Sequence, residues 1–365
     1  MRARARLARP GSYSDRAEKC LAEAVFSGNT PGVAPFWTLL RGMRSAVNLR
    51  RRVQGPKRPT WDSTFETLAE VFHQGSRRVV RLPLEAQRRS TNLVVTNLPS
   101  SPLYKETRFE RVSAGGVPAE WFRRHDAEED RVILYIHGGA YALGSIDTHR
   151  DLVARMCRAA KASALSIEYR LAPEHKFPAQ LEDCTAAYRW LLEQGVEPSR
   201  VVMAGDSAGG ALTLSTLVNL RDSRDPMPAA GVCLSPWCDL EANSGSMLNN
   251  AKFDYVNQRA VRHYAKYFID PKDLRNPLAA PVHADLHGLP PLLIQVGGAE
   301  ALLDDAVRVA QRARDAGVTV ELDVWPDMIH VWQLFAFLSP VGTQAIEKVG
   351  RYVIDRTGGS TRDAA

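Results

Sequence analysis

The feature that most constrains the fold is an alternation of short apolar runs and longer amphipathic stretches, which begins near Asn92 and continues to about residue 355. The run Val132–Ile136 is apolar throughout, as expected for a strand that is buried on both faces of a sheet. Strands separated by helices of about 10–15 residues favour a parallel sheet with right-handed crossovers. The sequence therefore predicts an α/β architecture, with a mostly parallel central sheet flanked by helices.

The remaining elements follow from the same pattern. Residues 240–276 contain no strand signal and interrupt the alternation, so we expect them to cover one edge of the sheet. Helices are predicted at 148–160, 180–194, 208–221, 302–316 and 343–355. The other predicted strands are Asn92–Asn97, Glu106–Val112, Ala164–Glu168, Val201–Ala204, Gly231–Leu234, Pro291–Val296 and Val318–Val324.

One motif lies between a predicted strand and a predicted helix, at Gly205-Asp-Ser-Ala-Gly209. This G-x-S-x-G pattern is typical of a sharp strand-to-helix turn that exposes a nucleophilic serine. Its glycines leave room for the helix to cross the strand closely, and the helix N-terminus favours negative charge that develops beside Ser207. A phosphate-binding loop is disfavoured because the G-x-x-x-x-G-K-[ST] pattern is missing. We therefore predict that Ser207 is a nucleophile.

A second motif, His-Gly-Gly-Ala at residues 137–140, directly follows the first buried strand. Acyl transfer to a serine passes through a tetrahedral intermediate, whose oxyanion is stabilised by backbone N–H groups. Glycine exposes its N–H well because no Cβ crowds it. We predict an oxyanion hole formed by the N–H groups of Gly138, Gly139 and Ala208. An ordinary turn at the end of a strand is the alternative for residues 137–140.

The base and the acid are predicted from their order along the chain, which in sheets of this kind is serine, then carboxylate, then histidine. His330 is the last histidine and lies six residues beyond a predicted strand, so it is the candidate general base. Glu300 lies four residues beyond another strand and is the candidate acid. Asp304 remains the alternative, although a carboxylate in the first turn of a helix already has a structural explanation.

At these motifs the sequence resembles the hormone-sensitive-lipase-like family of α/β-hydrolases, which includes many bacterial esterases. The resemblance implies the α/β-hydrolase fold with a helical cap. We therefore expect residues 1–75 to contribute to the cap and residues 76–360 to form the catalytic domain, which contains a cap insertion at about 240–276. Ala140 replaces the third glycine of the family's motif, and Glu300 replaces its aspartate. The matching blocks are His137–Tyr141, Tyr169–His175, Gly205–Gly210, Leu289–Leu293 and Trp325–His330.

The resemblance also implies a function. It indicates a serine carboxylesterase that acts on small-molecule esters of short- to medium-chain acids through an acyl-enzyme on Ser207, with no metal or organic cofactor. Lactone hydrolysis and deacetylation use the same triad and remain open. A receptor of the same fold that binds ligand without catalysis is less favoured, because such receptors have lost the histidine and His330 is present.

The net charge of +6 is unevenly distributed. Residues 1–60 hold 13 Lys and Arg against 3 Asp and Glu, whereas the rest of the chain holds 34 against 38. A solvated N-terminal leader is the favoured interpretation, and weak contact with an anionic membrane surface is the alternative. Nucleic acid is not an expected partner, because aromatic residues do not alternate with the basic ones.

Five cysteines, an odd number without a CxxC pair, favour reduced thiols and therefore a cytoplasmic location. No apolar run reaches the 18 or more residues of a membrane-spanning helix. The sequence leaves the oligomeric state open, with a homodimer as one option.

Overall fold

The computed structural model describes residues 34–96, 101–127 and 131–358 of the 365-residue chain. The fold is built on one eight-stranded sheet with the spatial order β1-β2-β4-β3-β5-β6-β7-β8. Strands β1 and β2 form an antiparallel hairpin, β2 pairs antiparallel with β4, and all other pairs are parallel. The strands are β1 (Thr107–Ala114), β2 (Val117–Arg124), β3 (Val132–Ile136), β4 (Ser163–Ile167), β5 (Val201–Asp206), β6 (Ala230–Leu234), β7 (Leu292–Gly297) and β8 (Val320–Trp325).

Helices precede the sheet and connect its strands, as the α/β prediction requires. The prediction of a mostly parallel sheet flanked by helices is confirmed. The helices of the described residues are α1 (Ala34–Gln54), α2 (Ser63–Val79), α3 (Leu84–Thr96), α4 (Ile146–Ala160), α5 (Ala179–Glu193), α6 (Ala208–Asp222), α7 (Gly245–Asn249), α8 (Gln258–Phe268), α9 (Leu303–Asp315) and α10 (Pro340–Thr357). None of them is both long and apolar enough to cross a lipid bilayer.

The apolar core lies on both faces of the sheet, which explains the continuous apolar run in β3. Leu134 and Ile136 pack on the face covered by α5, α6 and α9, whereas Ile133 and Tyr135 pack on the face covered by α4 and α10. Every residue of β3 is therefore buried. A strand covered on both faces has no polar side, and this is why its sequence does not alternate.

One strand prediction was wrong, and one strand was not predicted. Residues 92–96 belong to α3 rather than to a strand, and residue 97 lies outside the described residues. Strand β2 was not predicted, because Pro118 and Glu120 interrupt its apolar pattern. The turn before β2 is Gly115-Gly116, with both φ angles positive as in tight hairpin turns, and this pair was the overlooked signal.

The helices before the sheet contact the 240–276 segment, which we call the excursion. The ring of Phe72 in α2 packs on those of Tyr255 in the excursion and Phe335, at centroid distances of 5.7 and 4.8 Å. The hydroxyl of Tyr264 in α8 donates to Gln87 Oε1 of α3 at 2.5 Å. These contacts join the two segments predicted to form the cap, and the division into cap and catalytic domain remains a prediction. The basic residues 1–33 lie outside the described residues.

Candidate active site

Ser207 stands at the turn between β5 and α6. Its backbone has φ 53° and ψ −118°, a strained conformation for a residue with a side chain and the one expected of a nucleophile turn. A Cβ on Gly205 would lie 2.4 Å from the carbonyl oxygen of Gly209, and a Cβ on Gly209 would lie 2.0 Å from that of Ile136. Both motif glycines are therefore needed for the helix to pass so close to the strands.

The imidazole of His330 lies beside this serine. His330 follows β8, and its Nε2 is 2.9 Å from Ser207 Oγ, which is hydrogen-bond distance. Its Nδ1 faces Oε1 of Glu300 at 3.6 Å. Within the described residues neither of those two atoms has another hydrogen-bond partner. The structure thus brings together the three side chains that the sequence singled out, in the order hydroxyl, imidazole, carboxylate.

Glu300 is held by its other oxygen. Oε2 accepts hydrogen bonds from Ser235 Oγ at 2.7 Å and from the N–H of Gly297 at 2.9 Å. Ser235 Oγ in turn accepts from the N–H of Val331, the residue after the histidine, at 3.1 Å. Ser235 therefore links the loop that carries the carboxylate to the loop that carries the imidazole.

Asp304, the alternative acid, has a different partner. Its Oδ2 accepts the N–H of Ser246 at 2.8 Å, and Ser246 Oγ accepts the N–H of Asp304 at 3.0 Å. This reciprocal pair ties the start of α9 to α7. The carboxylate of Asp304 is thus used in packing the excursion, whereas that of Glu300 faces His330.

The charges around His330 favour its protonated form. Burial alone lowers the pKa of the imidazole, but the facing carboxylate of Glu300 and the negative charge of Asp254 raise it above its ordinary value. An imidazole in this setting is a stronger base than free histidine, and the imidazolium formed during a reaction is stabilised.

The loop after β3 presents free N–H groups near the nucleophile. Within the described residues, those of Gly139, Ala140 and Ala208 donate to no protein acceptor. The N–H of Gly138, in contrast, donates to Asp206 Oδ1 at 2.9 Å. The prediction of Gly138 as an oxyanion donor therefore needs correction, because its N–H is already bonded to a buried carboxylate.

Asp206 explains why residue 138 must be glycine. A Cβ there would lie 2.2 Å from Asp206 Oδ2. The same carboxylate accepts the hydroxyl of Tyr135 at 2.7 Å and lies 3.3 Å from Nε2 of His149. Burial raises the pKa of Asp206, yet the neighbouring His149 and the hydrogen bonds lower it overall, so Asp206 is ionised. The pair fixes the glycine loop to the end of β5.

His137 has a structural place in this cluster. Its ring stacks on Tyr169 at a centroid distance of 4.3 Å, and the hydroxyl of Tyr169 donates to the carbonyl oxygen of His137 at 2.9 Å. Burial lowers the pKa of His137 to about 3, so the ring is neutral. His137 supports the loop and lies apart from the serine–imidazole contact.

One group among the described residues has the spacing of a metal site, formed by Asp239, Glu241 and His283. Asp239 is paired with Arg308 at 2.6 Å, and Glu241 with Arg275 at 2.9 Å. The two arginines already neutralise both carboxylates, so these residues do not favour a cation.

Three residues of the site were missed by the sequence reasoning. They are Asp206, which was counted only as the variable position of its motif, Ser235 and Asp254. A charged residue at the end of an apolar strand was the available signal for Asp206. Ser235 and Asp254 have no such signal, because their partners lie far away along the chain.

Comparisons with known proteins agree with this geometry. A family model for the alpha/beta hydrolase fold matches residues 133–334. An acetyl-hydrolase of Streptomyces hygroscopicus is 47% identical over 249 residues, covering 68% of this chain and 83% of that protein. An esterase of Acinetobacter venetianus is 34% identical over 231 residues, covering 62% of this chain and 75% of that protein.

Solved structures point the same way. The crystal structure of an esterase from the bacterial hormone-sensitive lipase family superposes with a TM-score of 0.75 at 45% identity, covering 80% of this chain and 98% of that one. Sequence, topology and site geometry therefore agree that the chain belongs to the hormone-sensitive-lipase-like esterases of the α/β-hydrolase fold.

Proposed function

We propose that the protein hydrolyses carboxylic esters of short- to medium-chain acids, with Ser207 as nucleophile, His330 as general base and Glu300 as the acid of the triad. The observation that carries the proposal is the 2.9 Å contact between His330 Nε2 and Ser207 Oγ at a strained strand-to-helix turn. A serine hydroxyl is a weak nucleophile until a base within hydrogen-bond reach removes its proton.

Acylation begins when His330 Nε2 takes the proton of Ser207, whose Oγ forms a bond to the ester carbonyl carbon. Negative charge moves to the carbonyl oxygen, where the N–H groups of Gly139, Ala140 and Ala208 stabilise it. Each such donor contributes about 10²–10³ in rate in comparable enzymes. Glu300 holds the imidazole in the correct tautomer and stabilises its positive charge.

The intermediate then collapses. The bond to the alcohol oxygen breaks, and the imidazolium of His330 gives its proton to the departing alcohol. A water molecule attacks the acyl-enzyme with the same imidazole as base, and the carboxylic acid leaves as Ser207 recovers its proton. Each step uses only groups of this chain and the two substrates, ester and water.

Aromatic packing supports the preference for small acyl groups. Tyr141, which follows the oxyanion loop, stacks on Phe268 of α8 at a centroid distance of 3.7 Å, and Phe177 packs against the same ring at 5.6 Å. The three rings pack together beside the oxyanion loop, and we infer that they limit the room for a long acyl chain. The relative named acetyl-hydrolase favours deacetylation as the second candidate. Lactone hydrolysis is a further candidate, and turnover of lactones tests it.

The test is turnover of p-nitrophenyl esters with acyl chains of two to sixteen carbons, beside a few lactones. We expect the highest kcat/KM at the short end and loss of turnover in Ser207→Ala. Wild-type turnover that survives in Ser207→Ala would refute the nucleophile. A maximum at the longest chains would refute the acyl preference.

We also propose a cytoplasmic location, supported by the four described cysteines, all buried and unpaired: Cys157, Cys184, Cys233 and Cys238. Cys20 lies outside the described residues. Weak membrane contact of the basic N-terminus and a homodimer stay predictions.

A further inference from the structure

A buried carboxylate in the excursion contacts both loops of the site. Asp254 lies between α7 and α8 and is 1% exposed. Its Oδ1 accepts the N–H of Tyr255 at 2.8 Å and that of His330 at 3.2 Å. Its Oδ2 accepts the N–H of Ala301, next to the glutamate, at 2.7 Å. One side chain thus bonds to the backbone beside the base and the backbone beside the acid.

The excursion is fixed on its other side by α2. Nδ1 of His73 lies 2.7 Å from the carbonyl oxygen of Asp254, and Ser76 Oγ donates to the carbonyl oxygen of Tyr255 at 2.8 Å. Helix α2 therefore holds the backbone of residues 254–255, from which the Asp254 side chain extends to the two loops. Movement of this anchor would be passed on to both of them.

Further contacts tie the excursion to the loop of Glu300. Nδ2 of Asn250 donates to the carbonyl oxygen of Glu300 at 2.9 Å, and Ser246 Oγ donates to that of Ala301 at 2.8 Å. These bonds hold the acid loop alone. Among the described residues, Asp254 is the side chain of the excursion that bonds to both the acid loop and the His330 loop.

Burying the carboxylate of Asp254 is energetically unfavourable, so its retention at this position points to a role for its hydrogen bonds. An ionised carboxylate buried without a cationic partner is expensive unless its oxygens are hydrogen-bonded. Burial, together with the charge of Glu300, raises the pKa of Asp254 to about 6, while His330 and the backbone N–H groups act in the opposite direction. Asp254 is therefore largely ionised above neutral pH, where both of its oxygens accept.

We propose that Asp254 is a positioning residue, whose carboxylate sets the separation between the imidazole of His330 and the carboxylate of Glu300 by holding the backbone of both loops. The inference rests on the proposed function, since it concerns the same triad. His330 Nδ1 and Glu300 Oε1 are 3.6 Å apart, just beyond hydrogen-bond distance, so a small approach of the two loops decides whether the bond forms.

The charge of Asp254 also acts on the base directly. The titratable groups that face it are His330 and Glu300 on the two loops, Tyr255 beside it on the excursion, and His73 of α2 at its backbone. Its negative charge contributes to the raised pKa of His330. Ester hydrolysis needs the neutral imidazole, so removing this charge lowers the pH at which activity appears.

The experiment measures kcat, KM and the pH profile of kcat/KM for p-nitrophenyl butyrate in Asp254→Asn, with rates expressed per active site titrated by a fluorophosphonate. The amide keeps the shape of the side chain, but its nitrogen cannot accept an N–H. We expect kcat to fall about tenfold or more, because small misplacements of catalytic groups have large effects. KM should stay within about twofold, and the acid limb of the profile should move to lower pH.

Asp305→Asn is the control matched in burial and backbone hydrogen bonding, because the buried carboxyl of Asp305 also accepts two backbone N–H groups, those of Cys238 at 3.0 Å and Asp239 at 2.8 Å. Burial raises the pKa of Asp305 to about 8, so this change leaves the charge near neutral pH almost unaltered. The control variant should keep the wild-type kcat and acid limb. Asp254→Ser is the second variant, smaller and neutral, and should repeat the behaviour of Asp254→Asn.

The inference is overturned if both Asp254 variants keep the wild-type kcat and acid limb, or if Asp305→Asn shows the same loss and shift. Failure of the underlying function would look different: wild-type protein would then not hydrolyse the ester, or Ser207→Ala would still do so.

Discussion

The two sides of the active site are held in different ways. On the nucleophile side, Ser207 and the glycine loop follow neighbouring strands β5 and β3, and the buried pair of Asp206 and His149 joins them. On the base side, the loops of His330 and Glu300 are held by the excursion through Asp254 and by residues before the sheet. The Arg58 side chain and the indole N–H of Trp61 bind Asp327, three residues before the histidine.

The nucleophile side is built into the sheet, whereas the base side is assembled from distant parts of the chain. A perturbation of the excursion or of residues 57–61 should therefore reach His330 and leave Ser207 in place. A perturbation of the Asp206–His149 pair should act on the oxyanion donors instead.

The largest effect is expected on the base side, from Glu300→Gln. The amide can hold the imidazole in the wrong tautomer and carries no charge, and the equivalent change in a serine protease costs about 10⁴ in kcat. We expect kcat/KM for p-nitrophenyl butyrate to fall by about 10³–10⁴. Asp304→Asn is the control and should lose less than about tenfold, because Asp304 bonds to Ser246 rather than to the imidazole. The reverse order would assign the acid to Asp304.

An intermediate effect is expected on the nucleophile side, from His149→Gln. Burial lowers the pKa of His149, but the charge and hydrogen bond of Asp206 raise it overall, so the variant leaves the buried carboxylate of Asp206 without its imidazole partner. Breaking such a pair costs about 3–5 kcal/mol in the free energy of unfolding. We expect that loss in denaturant melts, with kcat lowered about tenfold through the glycine loop.

A double-mutant cycle sharpens this expectation. Asp206→Asn removes the charge that His149 compensates, so the double variant should be less destabilised than the sum of the two single variants. Additive losses would show that the pair does not hold the glycine loop.

A smaller effect is expected from Asp327→Asn, at the remote end of the base side. Asp327 accepts from Arg58 Nε at 2.7 Å and from the hydroxyl of Thr60 at 3.1 Å. Loss of hydrogen bonds to a charged group should cost about 1–3 kcal/mol in the free energy of unfolding. We expect kcat to fall less than about fivefold, with an unchanged rate of substrate binding. An effect as large as that of Glu300→Gln would break the distinction between contact residues and remote support.

The same contrast explains what the sequence could predict. The run Val132–Ile136 and the motif around Ser207 are local patterns, each imposed by steric rules within a few residues. His330 and Glu300 were predicted because their order along the chain follows from the order of the strands. All of these signals belong to the sheet itself.

The site residues that the sequence predicted wrongly or missed depend on interactions between residues that are distant along the chain. The direction in which the N–H of Gly138 points depends on Asp206, which lies 68 positions further along the chain. Asp254 stands in a stretch without strand signal, where an aspartate is ordinarily solvated. Its burial results from contacts with α2 and with two loops that follow it. Tertiary partners of this kind leave no local pattern to read.

Covalent labelling by a fluorophosphonate, followed by mass spectrometry, shows whether Ser207, His330 and Glu300 act as one catalytic unit. We predict one adduct per chain, on the peptide that carries Ser207, with a labelling rate that falls in His330→Ala and Glu300→Gln in the same order as the esterase activity. An adduct on another residue, or labelling of Ser207 at the wild-type rate in His330→Ala, would contradict it.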